Sequence, residues 1–131
     1  MSVEQNEALL RRMCDIVNST RPYDYRPFVK IWDEFQTSDS LLHLNGKDIP
    51  LRSKEEIDKY LLDYAPEPNT IELTYTIEDI FGEEDKVAYR ITTIIKQIST
   101  GEVQTLVEMG ICRFVNGKIA EHWINSVPKQ E

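Results

Sequence analysis

The sequence predicts an α+β domain, with helices in its first half covering one face of a long antiparallel sheet built from its second half. Three observations predict it. Apolar residues recur at helical spacing in three segments before Pro66, they fall on every second position from Thr70 onward, and no repeat, low-complexity tract or linker interrupts the 131 residues. A single domain spanning residues 1–131 follows, and 40% hydrophobic residues can fill one sizeable core without metals or disulfides.

The first helix opens at Ser2, with Gln5 at capping-box spacing, and carries Leu9, Leu10, Met13, Ile16 and Val17 to about Asn18. Arg21-Pro22 ends it. Tyr25, Phe28, Val29, Trp32 and Phe35 mark the apolar stripe of a second helix, followed by a short strand, Leu41 to Leu44, a turn at Asn45-Gly46 and a return strand, Ile49 to Leu51. Ser53 and Glu56 form a second capping box. The third helix places Ile57, Tyr60, Leu61 and Tyr64 on one face and closes at Pro66 and Pro68.

From Thr70 the pattern becomes that of strands. Ile71, Leu73, Tyr75 and Ile77 alternate with Glu72, Thr74, Thr76 and Glu78, which predicts one buried and one solvated face. Gly82 to Asp85 turns the chain into Val87–Ile98. Ser99-Thr100-Gly101 leads to Val103–Val115, and Asn116-Gly117 is a strong hairpin sequence before Ile119–Val127. These four strands form a meander. A sheet of such long strands bends, and bending around three helices leaves a hollow in which small ligands bind.

Charge and composition exclude several functions. A formal charge of −8, from 23 acidic and 15 basic residues with no basic cluster, repels nucleic acid and anionic membranes. Cys14 and Cys112 have neither CxxC nor Cys/His ligand spacing, so they read as buried free thiols and no metal site is expected. The stretch MSVEQNEALLRRM lacks the apolar run of a signal peptide or membrane span, so a cytoplasmic protein is the expectation. No Gly-rich phosphate loop, HExxH or G-x-S-x-G occurs, and no cofactor is expected.

The segment Arg113-Phe114-Val115-Asn116-Gly117-Lys118-Ile119-Ala120-Glu121-His122-Trp123 resembles the F-R-F-x-D-G-K-I-x-E-H-W hairpin of SnoaL-like polyketide cyclases in the NTF2-like superfamily. Leu42-His43-Leu44-Asn45-Gly46 and Gly82-Glu83-Glu84-Asp85-Lys86-Val87-Ala88 are similar to two further strand-and-turn segments of that family. The resemblance implies a cone of three helices on a strongly curved antiparallel sheet. It also implies a homodimer formed through the outer sheet face. Activity does not follow, because this fold hosts cyclases, isomerases, dehydratases, hydrolases and non-catalytic binders.

The departures from the family are informative. SnoaL-like cyclases follow the Glu-His-Trp run with an acid/base aspartate, where this chain has Ile124. Ketosteroid isomerases, cousins on the same fold, have an oxyanion tyrosine, an acid and a base at positions that align with Met13, Gly110 and close to Leu44. Neither mechanism transfers unchanged.

Four residues remain as acid/base or charge-stabilising candidates. His43 lies near the position of the cousins' base, and an imidazole titrates near neutrality. His122 shares the face on which Ile124 replaces the aspartate. Arg90 and Thr92 share a strand face, and an inward Arg90 needs a carboxylate, either from Glu108 on the neighbouring strand or from a ligand. Glu108 in an apolar setting would itself become a general base. Each has a structural alternative: a satisfied histidine, a hairpin histidine, an internal ion pair. Trp32, Tyr60, Tyr64 and Tyr75, with Ile124, are expected to line the hollow or to fill it as core.

The reading that follows is a cofactor-free isomerase or cyclase acting on a small hydrophobic or carbonyl-bearing molecule, with His43 and His122 as the acid/base pair and Arg90 orienting. The alternative is a non-catalytic member that binds a ligand or a protein partner.

Overall fold

The computed structural model describes residues 2–130. Helix α1 (Val3–Ser19) begins at the expected capping box: Gln5 N–H donates to Ser2 Oγ at 3.1 Å, and Ser2 N–H donates to Gln5 Oε1 at 2.9 Å. Two of the helix's first free N–H groups are thus satisfied at low cost. The second predicted helix is broken. It forms α2 (Arg26–Lys30) and α3 (Trp32–Phe35), because Ile31 leaves helical angles at φ −113°, ψ 19°. With this bend Phe28 stacks on Phe35, ring centroids 5.2 Å apart, and meets Trp32 edge-on at 6.2 Å.

Strand β1 (Gln36–Leu44) starts five residues before the predicted strand and pairs with β2 (Lys47–Leu51) across Asn45-Gly46. Both turn residues have positive φ, 49° and 86°, the backbone hand that matches strand twist. Helix α4 (Lys54–Tyr64) has half of the second capping box: Ser53 Oγ accepts from Glu56 N–H, but Glu56 Oε1 accepts from Arg52 N–H. The long strands β3 (Ile71–Glu83), β4 (Lys86–Gln97), β5 (Val103–Val115) and β6 (Lys118–Pro128) form the predicted meander.

The six strands make one sheet in the order β2-β1-β6-β5-β4-β3. All neighbours are antiparallel except β1 and β6, which run parallel, with Leu42 opposite His122 and His43 opposite Trp123. Helix α1 packs on β3 and β4 and completes one core cluster, built on Leu10, Cys14, Val87, Tyr89, Ile91, Cys112, Phe114 and Ile119. A second cluster, Leu42, Ile49 and Leu51, lies against Trp32, Ile57, Tyr60 and Ile124. A hollow is lined by members of both. No helix of the described residues is long and apolar enough to cross a membrane.

Candidate functional site

Strand alternation decides which side chains reach the hollow. On β4, Val87, Tyr89, Ile91 and Thr93 are buried and face inward. On β5 the inward set includes Glu108, Gly110 and Cys112, because Tyr89 pairs with Gly110 and Val87 with Cys112. On β6 it is His122 and Ile124, opposite Cys112 and Gly110. The resulting cavity has a volume of about 580 Å³ and mostly apolar walls. Its size is that of ordinary small-molecule sites.

Three of the polar side chains of the cavity form one hydrogen-bonded chain. The Tyr89 hydroxyl donates to Glu108 Oε2 at 3.2 Å, and its oxygen lies 2.7 Å from His122 Nε2. Burial lifts the Glu108 carboxyl above its ordinary range, although the Tyr89 bond pulls the other way. Burial also raises Tyr89 well above the usual phenol value and pulls His122 down to about 4. His122 keeps some accessible surface, but it lines the hollow, so this surface faces the cavity rather than open solvent. At neutral pH its imidazole is uncharged.

Tyr89 has a single proton to give, so its partners' protonation states are linked. With Glu108 ionised, the phenol donates to the carboxylate and His122 must carry hydrogen on Nε2 to donate to the phenol oxygen. With Glu108 protonated, the phenol can turn its hydrogen to His122 Nε2, which moves the imidazole hydrogen to Nδ1. One proton added at Glu108 therefore frees the phenol hydrogen, either for His122, whose tautomer then changes, or for an acceptor on a ligand, with His122 unchanged. Such a chain suits the movement of a proton between a ligand and the protein.

Gly110 is needed for this arrangement. A Cβ built there would collide with the Tyr89 ring and hydroxyl. Position 110 has no room for a side chain because the Tyr89 phenol occupies the space.

The sequence-based candidates separate between the two faces of the sheet. Trp32, Tyr60, Tyr64, Tyr75, Glu108, His122 and Ile124 all line the cavity, Tyr64 at 41% exposure near its edge. Two lining atoms, Trp32 Nε1 and Thr93 Oγ1, have no protein partner among the described residues. The expectation for Arg90 is corrected. It projects from the outer face, half exposed, and its Nε donates to Asp79 Oδ2 at 2.8 Å. Its neighbour Thr92 faces the same way and donates to Glu78. Strand alternation sets this: with Tyr89 and Ile91 buried inward, Arg90 between them must point outward, where it keeps both water and Asp79.

The expectation for His43 is corrected too. The parallel pairing sets Leu42, not His43, beside His122, so His43 points through the opposite face. There its Nδ1 lies 2.6 Å from Asp48 Oδ1, its Nε2 2.7 Å from Glu121 Oε2, and its ring stacks on Trp123 with centroids 5.1 Å apart. Glu121 also accepts from Arg113 Nε at 3.3 Å. The hydrogen bonds to Glu121 and then Asp48 raise the His43 pKa, and the His43 bond in turn lowers that of Glu121. This is a cross-strand ionic cluster, and His43 is not a partner of His122 in the cavity.

Tyr89 is the functional candidate that the sequence reading missed. The pointer to it was the pairing of an aromatic residue with a glycine on adjacent strands, a register that becomes visible only when β4 and β5 are aligned.

The outer face also carries exposed apolar side chains. Phe81, Met109 and Ile111 are 65%, 57% and 42% exposed and lie with Trp123 around a shallow concavity bordered by Asp79 and Arg90.

Comparison with known proteins follows the same lines. None of the curated proteins matches the chain. Among solved structures, it is similar to AclR, a proposed hydroxylase from Streptomyces galilaeus, with a TM-score of 0.71 and 22% identity, covering 95% of this chain and 80% of that one. It is similar to wild-type IdmH, a proposed polyketide cyclase from Streptomyces antibioticus, with a TM-score of 0.66 and 22% identity over 93% and 91% of the two chains. A proposed isomerase from Bacillus subtilis gives a TM-score of 0.71 at 18% identity over 97% and 90%. At these identities the likeness is one of fold. The family is given by sequence: a SnoaL-like domain profile matches residues 10–122, and the chain belongs to the SnoaL-like domain family.

Proposed function

We propose that this protein is a cofactor-free proton-transfer enzyme, an isomerase or cyclase, acting on a small carbonyl-bearing molecule held in the apolar cavity. The observation that carries this reading is the Glu108–Tyr89–His122 chain at the cavity wall. Ionised Glu108 removes a proton from a carbon next to the carbonyl, and the electron pair of the broken C–H bond moves onto the carbonyl oxygen as an enolate. Once Glu108 holds that proton, the Tyr89 hydroxyl is free to turn to the enolate oxygen, with His122 Nε2–H polarising the phenol from behind. Return of the proton at another carbon gives isomerisation. Attack of the enolate carbon on a second carbonyl gives cyclisation: the π pair of that carbonyl moves onto its oxygen, and the alkoxide takes the proton from Glu108. His122 keeps an acid/base-linked role, Glu108 takes the base role first considered for His43, and Arg90 has none. Trp32, Tyr60, Tyr64, Tyr75 and Ile124 form the walls.

The test is deuterium exchange. A panel of bicyclic and aromatic ketones in D₂O should lose α-proton NMR signals faster with the protein than without it, and both Glu108→Gln and Tyr89→Phe should abolish the acceleration. Catalysed exchange that survives Glu108→Gln would overturn the assignment. One observation favours a second reading: Ile124 sits in the hollow at the position of the family's aspartate and carries no proton. Ligand binding without any catalysed exchange would support that non-catalytic reading.

We also propose that two copies associate through the outer face, since Phe81, Met109 and Ile111 are exposed together there. Met109→Glu should shift a dimer to monomer in sedimentation; an unchanged sedimentation coefficient argues against this contact. The free thiols Cys14 and Cys112 fit a reducing, cytoplasmic setting.

A further inference from the structure

The cavity has no positive charge to offer an anion. Among the described residues no Lys or Arg lines it. The ionisable groups around Glu108 are Cys14 on α1, Tyr60 on α4, Tyr75 on β3, Tyr89 on β4, Cys112 on β5 and His122 on β6. All are uncharged at neutral pH, since burial raises the thiols and phenols and lowers the imidazole. Glu108 is the one group there that can hold charge, and that charge is negative.

Glu108 is also incompletely paired. Oε2 accepts from Tyr89, while Oε1 has no protein partner among the described residues and is not sealed from the hollow it lines. A lone carboxylate among apolar side chains is costly, and a cation brought beside it offsets that cost. Aromatic rings attract the same kind of ligand group through their negative faces.

We propose that the ligand of this cavity carries a protonated or quaternary amine seated beside Glu108 Oε1, among aromatic walls that include Trp32, Tyr60 and Tyr75. The proposal rests on the cavity being the substrate site, and it names the substrate class. An ammonium at this place holds Glu108 in its ionised form, the form that accepts a proton, so the substrate's charge activates its own base. Amino ketones combine both requirements, a cationic nitrogen for Glu108 and an acidic C–H next to a carbonyl. Carboxylates and phosphates are excluded.

Three probes share a benzyl group and differ in charge: benzyltrimethylammonium, its neutral isostere neopentylbenzene, and phenylacetate. Trp32 fluorescence reports binding in a Trp123→Phe background, which leaves one tryptophan in the chain. The cation should bind about tenfold more tightly than the isostere, and phenylacetate should not bind. Glu108→Gln should remove the preference. Calorimetry at pH 5 in buffers of different ionisation enthalpy should register proton release when the unsubstituted protein takes the cation, a test of the same pairing that needs no variant. Equal or tighter binding of the isostere, or a cation preference that survives Glu108→Gln, overturns the proposal and leaves the ligand site standing. If none of the three binds, the substrate-site reading fails with it.

Discussion

His43 and His122 lie on paired strands, one residue out of register, yet their chemistry is opposite. His43, on the outer face, has a carboxylate at each ring nitrogen and a tryptophan under its ring, so its protonated form is favoured. His122, on the inner face, has a phenol at Nε2 and otherwise apolar surroundings, so its neutral form is favoured. A shift of one residue along a strand, with no change of residue type, separates an ionic clamp from a candidate acid/base group. Residue identity and approximate position are therefore weak guides to function in a sheet; the face decides.

Acid titration gives the largest expected contrast. The unfolded chain protonates His122 near 6.5, but the folded protein resists until about 4. Stability contributed by neutral His122 is thus present above pH 6.5 and lost as pH falls, on the order of 3 kcal/mol once both states are protonated. His122→Phe should remove that part of the pH slope in denaturant titrations run from pH 7 to 4. An unchanged slope would break the assignment of His122 to a dry site.

Gly110→Ala should cost about 1–3 kcal/mol, because the added methyl meets the Tyr89 ring where the cavity wall is already filled. The double variant with Tyr89→Leu should recover much of the loss; strict additivity of the two changes would place the strain elsewhere.

The clamp on the outer face predicts the reverse pH dependence. The His43 pKa is raised from 6.5, so its contribution is full below that value and fades as pH rises through the folded pKa. The lowered Glu121 supplies its share above 4.5 and loses it as pH falls through its folded pKa. His43→Gln should therefore destabilise by about 1 kcal/mol near pH 5.5 and by less at pH 9. Equal losses at both values would mean that stacking on Trp123, not charge, holds His43.

Arg90→Ala comes last. A half-exposed pair with Asp79 is worth under about 0.5 kcal/mol, and ligand binding in the cavity should not change. A clear loss of binding would return Arg90 to the site.

What the sequence made legible were features fixed by neighbours along the chain. The Ser2–Gln5 capping box, the turns at Asn45-Gly46 and Asn116-Gly117, and the alternation from Ile71 to Ile77 each need only a few consecutive residues. The walls of the cavity were legible for the same reason, since Trp32, Tyr60, Tyr64 and Tyr75 sit on clear apolar stripes. Strand β4 was ambiguous. Val87, Tyr89, Ile91 and Thr93 alternate with Ala88, Arg90, Thr92 and Ile94, and with threonine on both faces neither set is plainly polar. His43 was misplaced because its face depends on pairing with a strand some 80 residues away, and no local pattern encodes that register.

The parallel seam between β1 and β6 also governs how the chain assembles. Strand β1 is made some 80 residues before β6, which joins it to the long strands, so the β1–β2 hairpin waits as an unattached ribbon with an open edge. The cavity can close only after residue 122 arrives, because both His122 and the strand that seats Leu42 and Leu44 join the wall at that step. A chain stopped before Lys118 would keep the β3–β4–β5 meander and lose the joint between the two halves of the sheet. Closure of the cavity during synthesis is thereby tied to the arrival of β6.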